Sequence, residues 1–124
     1  VVSGDVDNLE QAVTNLVVNG VQAMPKGGEL SLVVRALAAG EGERPYGKDG
    51  PAGVIEVVDE GVGLSEADLA RIFEPFYTTK PAGLGTGLGL TVARDIAQDH
   101  GGHITAASTP GRGSAFSLHV PRLR

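Results

Sequence analysis

Asn15 and Asn19 stand four residues apart in a segment of helical apolar periodicity, so their carboxamides fall on one helix face. Gln22 extends the stripe. A carboxamide oxygen suits a hard cation such as Mg2+, which takes oxygen ligands, keeps waters and is shared with phosphates. Asp59 ends an apolar run and is followed by Gly61 and Gly63. An ionised carboxylate only accepts hydrogen bonds, which suits it to an exocyclic amine. The two glycines allow positive φ and close approach of the main chain to a flat ring. Further on, Gly83, Gly85, Gly87 and Gly89 alternate with Leu84, Thr86, Leu88 and Leu90 and lead into a helix. Backbone N–H groups at a helix start bind anions, and Lys80 just before the cluster adds a point charge. Taken singly, these features have plain alternatives: a solvated helix face, a strand-ending turn, a linker. In this order they are the parts of a nucleoside triphosphate site.

Regular elements must hold these parts in place. Leu9, Ala12, Val13, Leu16, Val17 and Val21 recur at the helical period, predicting a helix from about Asp5 to Met24. Asp5 or Asp7 is its expected cap, and Pro25-Lys26-Gly27-Gly28 its stop. Leu30, Leu32, Val34 and Ala36 alternate with Ser31, Val33 and Arg35, the pattern of a half-buried strand. Ala39 to Gly53 reads as a charged hairpin connection and Val54 to Val58 as a second strand. Ser65-Glu66-Ala67-Asp68 has the form of a capping box opening a short helix, with Leu69, Ile72 and Phe73 inward. Pro75 to Gly87 lacks periodicity, and Leu88 to His100 reads as a helix ended by Gly101-Gly102. His103 to Ser108 and Ser114 to Val120 are two strands joined by the turn Pro110-Gly111-Arg112-Gly113, with Phe116, Leu118 and Val120 facing one way. The expected fold is α+β: one domain over residues 1–124, a two-layer sandwich with a mixed sheet and helices packed on one face.

A chain of 124 residues can bury its own core. With no cysteine, disulfide frameworks and thiolate metal sites are excluded. The net charge of −5 argues against charge-driven nucleic-acid binding. No apolar run reaches membrane-spanning length. Phe73, Phe76 and Tyr77 are concentrated beside the glycine cluster; Phe73 is expected in the core, Phe76 and Tyr77 as anchors of a mobile lid. His100, His103 and His119 do not have metal-ligand spacing and read as structural or solvated, with His119 outward on its strand. Lys80 does not belong to a Walker A loop, since it follows no Gly-x-x-x-x-Gly and no strand leads into it.

Four segments in order resemble the N, G1, F and G2 boxes of the ATP-binding catalytic domain of bacterial sensor histidine kinases. They are Asn15-Leu16-x-x-Asn19-Gly20, Asp59-Glu60-Gly61-Val62-Gly63, Phe73 to Lys80, and Gly85-Thr86-Gly87-Leu88-Gly89-Leu90. The Phe-Tyr-Thr-Thr-Lys form is similar to the nitrogen-regulation branch. The resemblance covers nearly the whole chain and implies the Bergerat ATP fold, with a mobile ATP lid over residues 77–87. It implies Mg2+ on Asn19, the adenine amine on Asp59, and a base pocket shaped by Gly61 and Gly63. It places Lys80, Gly85, Thr86, Gly87, Leu88 and Gly89 on the phosphates, Asn15 near them, and Ser114 at the Asp59 end. Asn15 and Lys80 are the expected catalytic residues.

The implied reaction is transfer of the γ-phosphoryl group of ATP to a histidine on an upstream dimerisation domain, with a response regulator downstream. No histidine of this chain has the setting of that acceptor. The chain is therefore expected to be the catalytic domain of a longer cytoplasmic or membrane-anchored kinase, monomeric itself within a homodimeric parent. Two other readings are an ATP hydrolase of the same fold and a silent nucleotide-sensing module. Related hydrolases carry a glutamate where this chain has Asn15, and a carboxamide cannot act as a general base.

Overall fold

The computed structural model describes residues 6–37, 52–78 and 88–121. Helix α1 (Val6–Gln22) opens the fold. Its apolar residues fall on one side, with Ala12 and Leu16 fully buried and Leu9, Val13 and Val17 packed around them. Val21 departs from expectation and is exposed. At 100° per residue it lies about 140° around the helix from Leu16, off the buried stripe. Asp7 sits in the first turn rather than at the cap, and Asp5 lies outside the described residues.

Four strands follow: β1 (Leu30–Leu37), β2 (Ala52–Asp59), β3 (His103–Thr109) and β4 (Gly113–Pro121), ordered β1-β2-β4-β3. The expectation of a mixed sheet is corrected among the described residues, where every pairing is antiparallel. The two hairpins, β1–β2 and β3–β4, force antiparallel neighbours. β2 and β3 run the same way, but β4 lies between them. Helices α2 (Glu66–Leu69) and α3 (Gly89–Asp99) fill the β2-to-β3 connection. Ser65 caps α2 as its sequence foretold, its side chain accepting from the Asp68 amide. The last turn of α3 closes with the Gly101 amide on the Gln98 carbonyl and the Gly102 amide on that of Ala97, with Gly101 at φ 75°. That is the left-handed glycine stop.

Successive cross-strand rows run across the helix-bearing face of the sheet. Val34, Ile55, Leu118 and Ile104 form one, and Leu32, Val57, Phe116 and Ala106 the next. The inner members pack with Ile72, Ala93, Ile96 and Ala97 into the core, and Phe73 meets Phe116 edge-to-face at 6.5 Å. Each large apolar side chain buried this way contributes about 1.5–3 kcal/mol. β1 lies at the sheet edge, and Leu32 and Val34 are left exposed, Val34 at 71%. The expected half-burial of this strand fails because the helices cover the centre of the sheet. His119 is on the outward face as its alternation implies, yet only 7% exposed, and Val54 beside it on β2 is fully buried. Its solvated reading gives way to the structural one.

Candidate functional site

The next row toward one end of the sheet changes character: Leu30, Asp59, Ser114 and Ser108 stand in register across all four strands. The apolar core stops here and buried polar side chains begin. Asp59 is 3% exposed. Its Oδ1 accepts from the Gly61 amide at 2.8 Å, which fixes the carboxyl group. Its Oδ2 is buried and makes no hydrogen bond among the described residues. A buried carboxylate oxygen without a donor is unfavourable, so this atom marks a place for a donor beyond the described residues.

The turn after Asp59 is tied down by main-chain bonds. The Val62 amide donates to the Ala23 carbonyl at 3.1 Å, and the Gly111 amide donates to the Val62 carbonyl at 2.8 Å. The Leu64 amide donates to Ser108 Oγ at 2.7 Å. This crowding accounts for the glycines. A Cβ on Gly61 would stand 2.3 Å from the Ala23 carbonyl oxygen, and one on Gly63 would stand 2.1 Å from that of Thr109. Gly63 also has φ 70°. The expected positive φ is therefore present at Gly63, while the close approach seen is to the protein's own main chain.

Asn15 and Asn19 lie on the same side of α1, both part-buried. Asn15 Nδ2 donates to the Gly89 carbonyl at 3.1 Å, joining α1 to the first turn of α3. Asn19 holds the helix end through its carbonyl, which accepts from the Ala23 amide at 3.0 Å. Leu88 is the N-cap of α3 and supplies no side-chain acceptor to the first-turn amides. Gly89 is the first helical residue, with open space where a Cβ would be. Lys80, Gly85, Thr86 and Gly87 lie outside the described residues.

Around Phe73 to Thr78, Thr91 Oγ1 donates to the Phe73 carbonyl at 2.9 Å, and the Arg94 guanidinium sits 5.8 Å from the Phe73 ring centroid. Phe73 is inward as expected. Phe76 is 73% exposed at φ 66°, a left-handed conformation rare for a bulky residue. The Tyr77 hydroxyl donates to Asp68, whose hydrogen bond holds the phenol pKa above its usual value. The Arg71 guanidinium lies 4.5 Å over the Tyr77 ring and pairs with Glu74 at 3.0 Å. The hydrogen bond from Arg71 holds the Glu74 carboxyl below its ordinary range. These contacts anchor Tyr77 to α2.

Ser108 and the Ala23 carbonyl escaped the sequence reading. Counting back from the tight turn at residues 110–113 would have set Ser108 opposite Ser114. The contact of Val62 with Ala23 had no signal in the sequence, because it depends on how α1 lies over the sheet.

A buried carboxylate beside a glycine-locked turn, with Gly20 of α1 packed close to it, has its counterpart in known proteins. Residues 4–124 match the family described as histidine kinase-, DNA gyrase B- and HSP90-like ATPases, and the chain belongs to it. Sensor kinase CckA of Brucella abortus is 41% identical over 98% of this chain and 13% of its own length. Full-length ShkA, solved in complex with AMPPNP, superposes with a TM-score of 0.77 at 27% identity, covering 97% of this chain and 22% of that one. The mycobacterial sensor histidine kinase MprB shares the fold, with a TM-score of 0.78 at 24% identity over 99% of this chain and 76% of that one. The fold is thus the α+β sandwich of histidine kinase catalytic domains. The chain spans between 13% and 25% of the length of curated relatives such as CckA and sporulation kinase C of Bacillus subtilis. Among the described residues no helix is long and apolar enough to cross a membrane.

Proposed function

We propose that this domain binds Mg2+-ATP and donates the γ-phosphoryl group to a histidine on the dimerisation domain of a cytoplasmic or membrane-anchored parent kinase, which then passes it to a response regulator. The observation that carries the reading is the buried Asp59 Oδ2, which has no hydrogen-bond partner among the described residues. Adenine's 6-amine is a donor of the kind it requires. Opposite Asp59 stands Ser114, and Gly61 and Gly63 keep the turn close. The first-turn amides of α3, with Leu88 and Gly89, suit phosphate oxygens, and Lys80, Gly85, Thr86 and Gly87 are assigned to the same end.

Asn19 would hold Mg2+ through its carboxamide oxygen, and the ion when bound would neutralise triphosphate charge. Asn15 keeps α1 against the start of α3 through Gly89. Phosphoryl transfer needs mainly positioning and charge stabilisation. In the transfer, an imidazole nitrogen of the acceptor forms a bond to the γ-phosphorus as the bond to the β–γ bridging oxygen breaks, and ADP leaves. Asn15 also weighs against hydrolysis, since its carboxamide donates to a carbonyl and offers no base for water.

The test is radiolabelled ATP with the domain alone and with the parent's helical hairpin supplied in trans. We expect slow hydrolysis alone and acid-labile label on a hairpin histidine when both are present. Brisk hydrolysis with an unlabelled hairpin would overturn the kinase reading in favour of a hydrolase. Metal dependence gives a separate check. Asn19→Ala should weaken the magnesium-dependent part of ATP affinity far more than metal-free binding, with Asn15→Ala acting less on metal. Calorimetry with and without Mg2+ reads this, and an unchanged magnesium dependence in Asn19→Ala would remove the ligand role.

A further inference from the structure

Ser108 is the last member of the polar row and has no part in the reading above. Its oxygen carries one proton and two lone pairs. The Leu64 amide takes one lone pair at 2.7 Å. The Gly113 carbonyl, 3.0 Å away, has no proton and must accept from Ser108. The 2.8 Å contact to Ser114 Oγ is then donated by Ser114 into the remaining lone pair. That uses every hydrogen-bonding position of Ser108 and commits the only side-chain proton of Ser114. Ser114 stands directly opposite Asp59 in the β2–β4 register and is buried on the same face. What it can offer is an acceptor, opposite the Asp59 oxygen that has no partner among the described residues.

Resting on the nucleotide reading, we propose that Ser108 is a positioning residue that sets base specificity. It clasps the Gly61–Leu64 turn to β3 and fixes the Ser114 proton, so the pocket presents two acceptors, Asp59 and Ser114, to the two N–H groups of a purine 6-amine. A 6-oxo purine would meet them lone pair to lone pair. Without Ser108, the Ser114 proton is free to turn into the pocket and donate to a 6-oxo group, and the Leu64 amide loses its acceptor.

The experiment compares wild type, Ser108→Ala, Ser108→Thr, Ser114→Ala and the double alanine variant. Each is measured for ATP and ITP affinity, since ITP carries oxygen in place of the amine, and for amide exchange at Leu64 in the nucleotide-free domain. Ser108→Ala should speed Leu64 exchange and cut the ATP-over-ITP preference roughly fivefold, the scale of one hydrogen bond. Ser108→Thr, which keeps the hydroxyl, should restore both. Ser114→Ala should reduce the preference while leaving Leu64 protected, and the double variant should lose no more preference than Ser114→Ala alone. An unchanged ratio in Ser108→Ala overturns the specificity role, as do losses that multiply in the double variant. Rapid Leu64 exchange already in wild type overturns the clasp. A wild-type domain that takes ATP and ITP alike would instead overturn the nucleotide reading together with this role. The two failures are distinct, because when Ser108 alone is misassigned the wild type still discriminates.

Discussion

Asp59→Asn is expected to lower ATP affinity by roughly 5- to 150-fold, the range for setting a buried donor against a group that cannot accept from it. The direction follows from the Gly61 amide, which donates to Asp59 Oδ1. An asparagine here must turn its carbonyl oxygen toward Gly61 to keep that bond. Its NH2 group then occupies the place of Oδ2, the oxygen without a partner among the described residues, and meets the adenine amine donor to donor. A 6-oxo base suffers less, so the preference for ATP over GTP should narrow or reverse. The free domain should be no less stable, because the bond to Gly61 survives. Titrations of ATP and GTP beside a melting curve measure both. Undiminished ATP affinity in a folded Asp59→Asn domain would remove Asp59 from the base site.

Gly63→Ala should be the most damaging small substitution in the turn, at about 3–5 kcal/mol. Two effects add. The residue has φ 70°, where a Cβ costs roughly 1–2 kcal/mol. The new Cβ would also stand 2.1 Å from the Thr109 carbonyl oxygen, and main chain in a paired strand cannot move aside cheaply. Gly111→Ala is the control: its φ is 76°, but nothing lies within 4 Å of the added carbon. It should lose only the backbone part. Chemical denaturation of the two variants separates the effects, and equal losses would show that contact with Thr109 contributes nothing.

What the sequence disclosed and what it hid follow one physical division. Local rules placed α1, the Ser65 cap, the glycine stop after α3 and the β3–β4 hairpin, because each depends on neighbours within a few residues. The boxes singled out Asp59, Asn15 and Asn19 as site candidates by their residue types and order. Tertiary facts stayed hidden. Leu32 and Val34 have the alternation of a buried strand, and only their place at the sheet edge leaves them exposed. His119 has the pattern of a solvated residue, yet it lies buried beside Val54 of the neighbouring strand. Gly61 and Gly63 were legible as necessary, but their neighbours, Ala23 and Thr109, are distant in sequence. Ser108 is one serine among ordinary strand residues until the register sets it beside Ser114.

The locked turn after Asp59 also bears on how the domain would tell fresh nucleotide from spent. On the proposed reading this turn is the base end, and bonds from Val62, Leu64 and Gly111 hold it in shape within the chain alone, so that socket would be set before anything enters it. Adenine is common to ATP and ADP, and a rigid socket grips both equally. On this reading ADP is a built-in competitor, and turnover in the cell tracks the ratio of the two nucleotides more than the amount of either. Any preference for the triphosphate has to be generated at the other end of the ligand, by the groups that meet its phosphates.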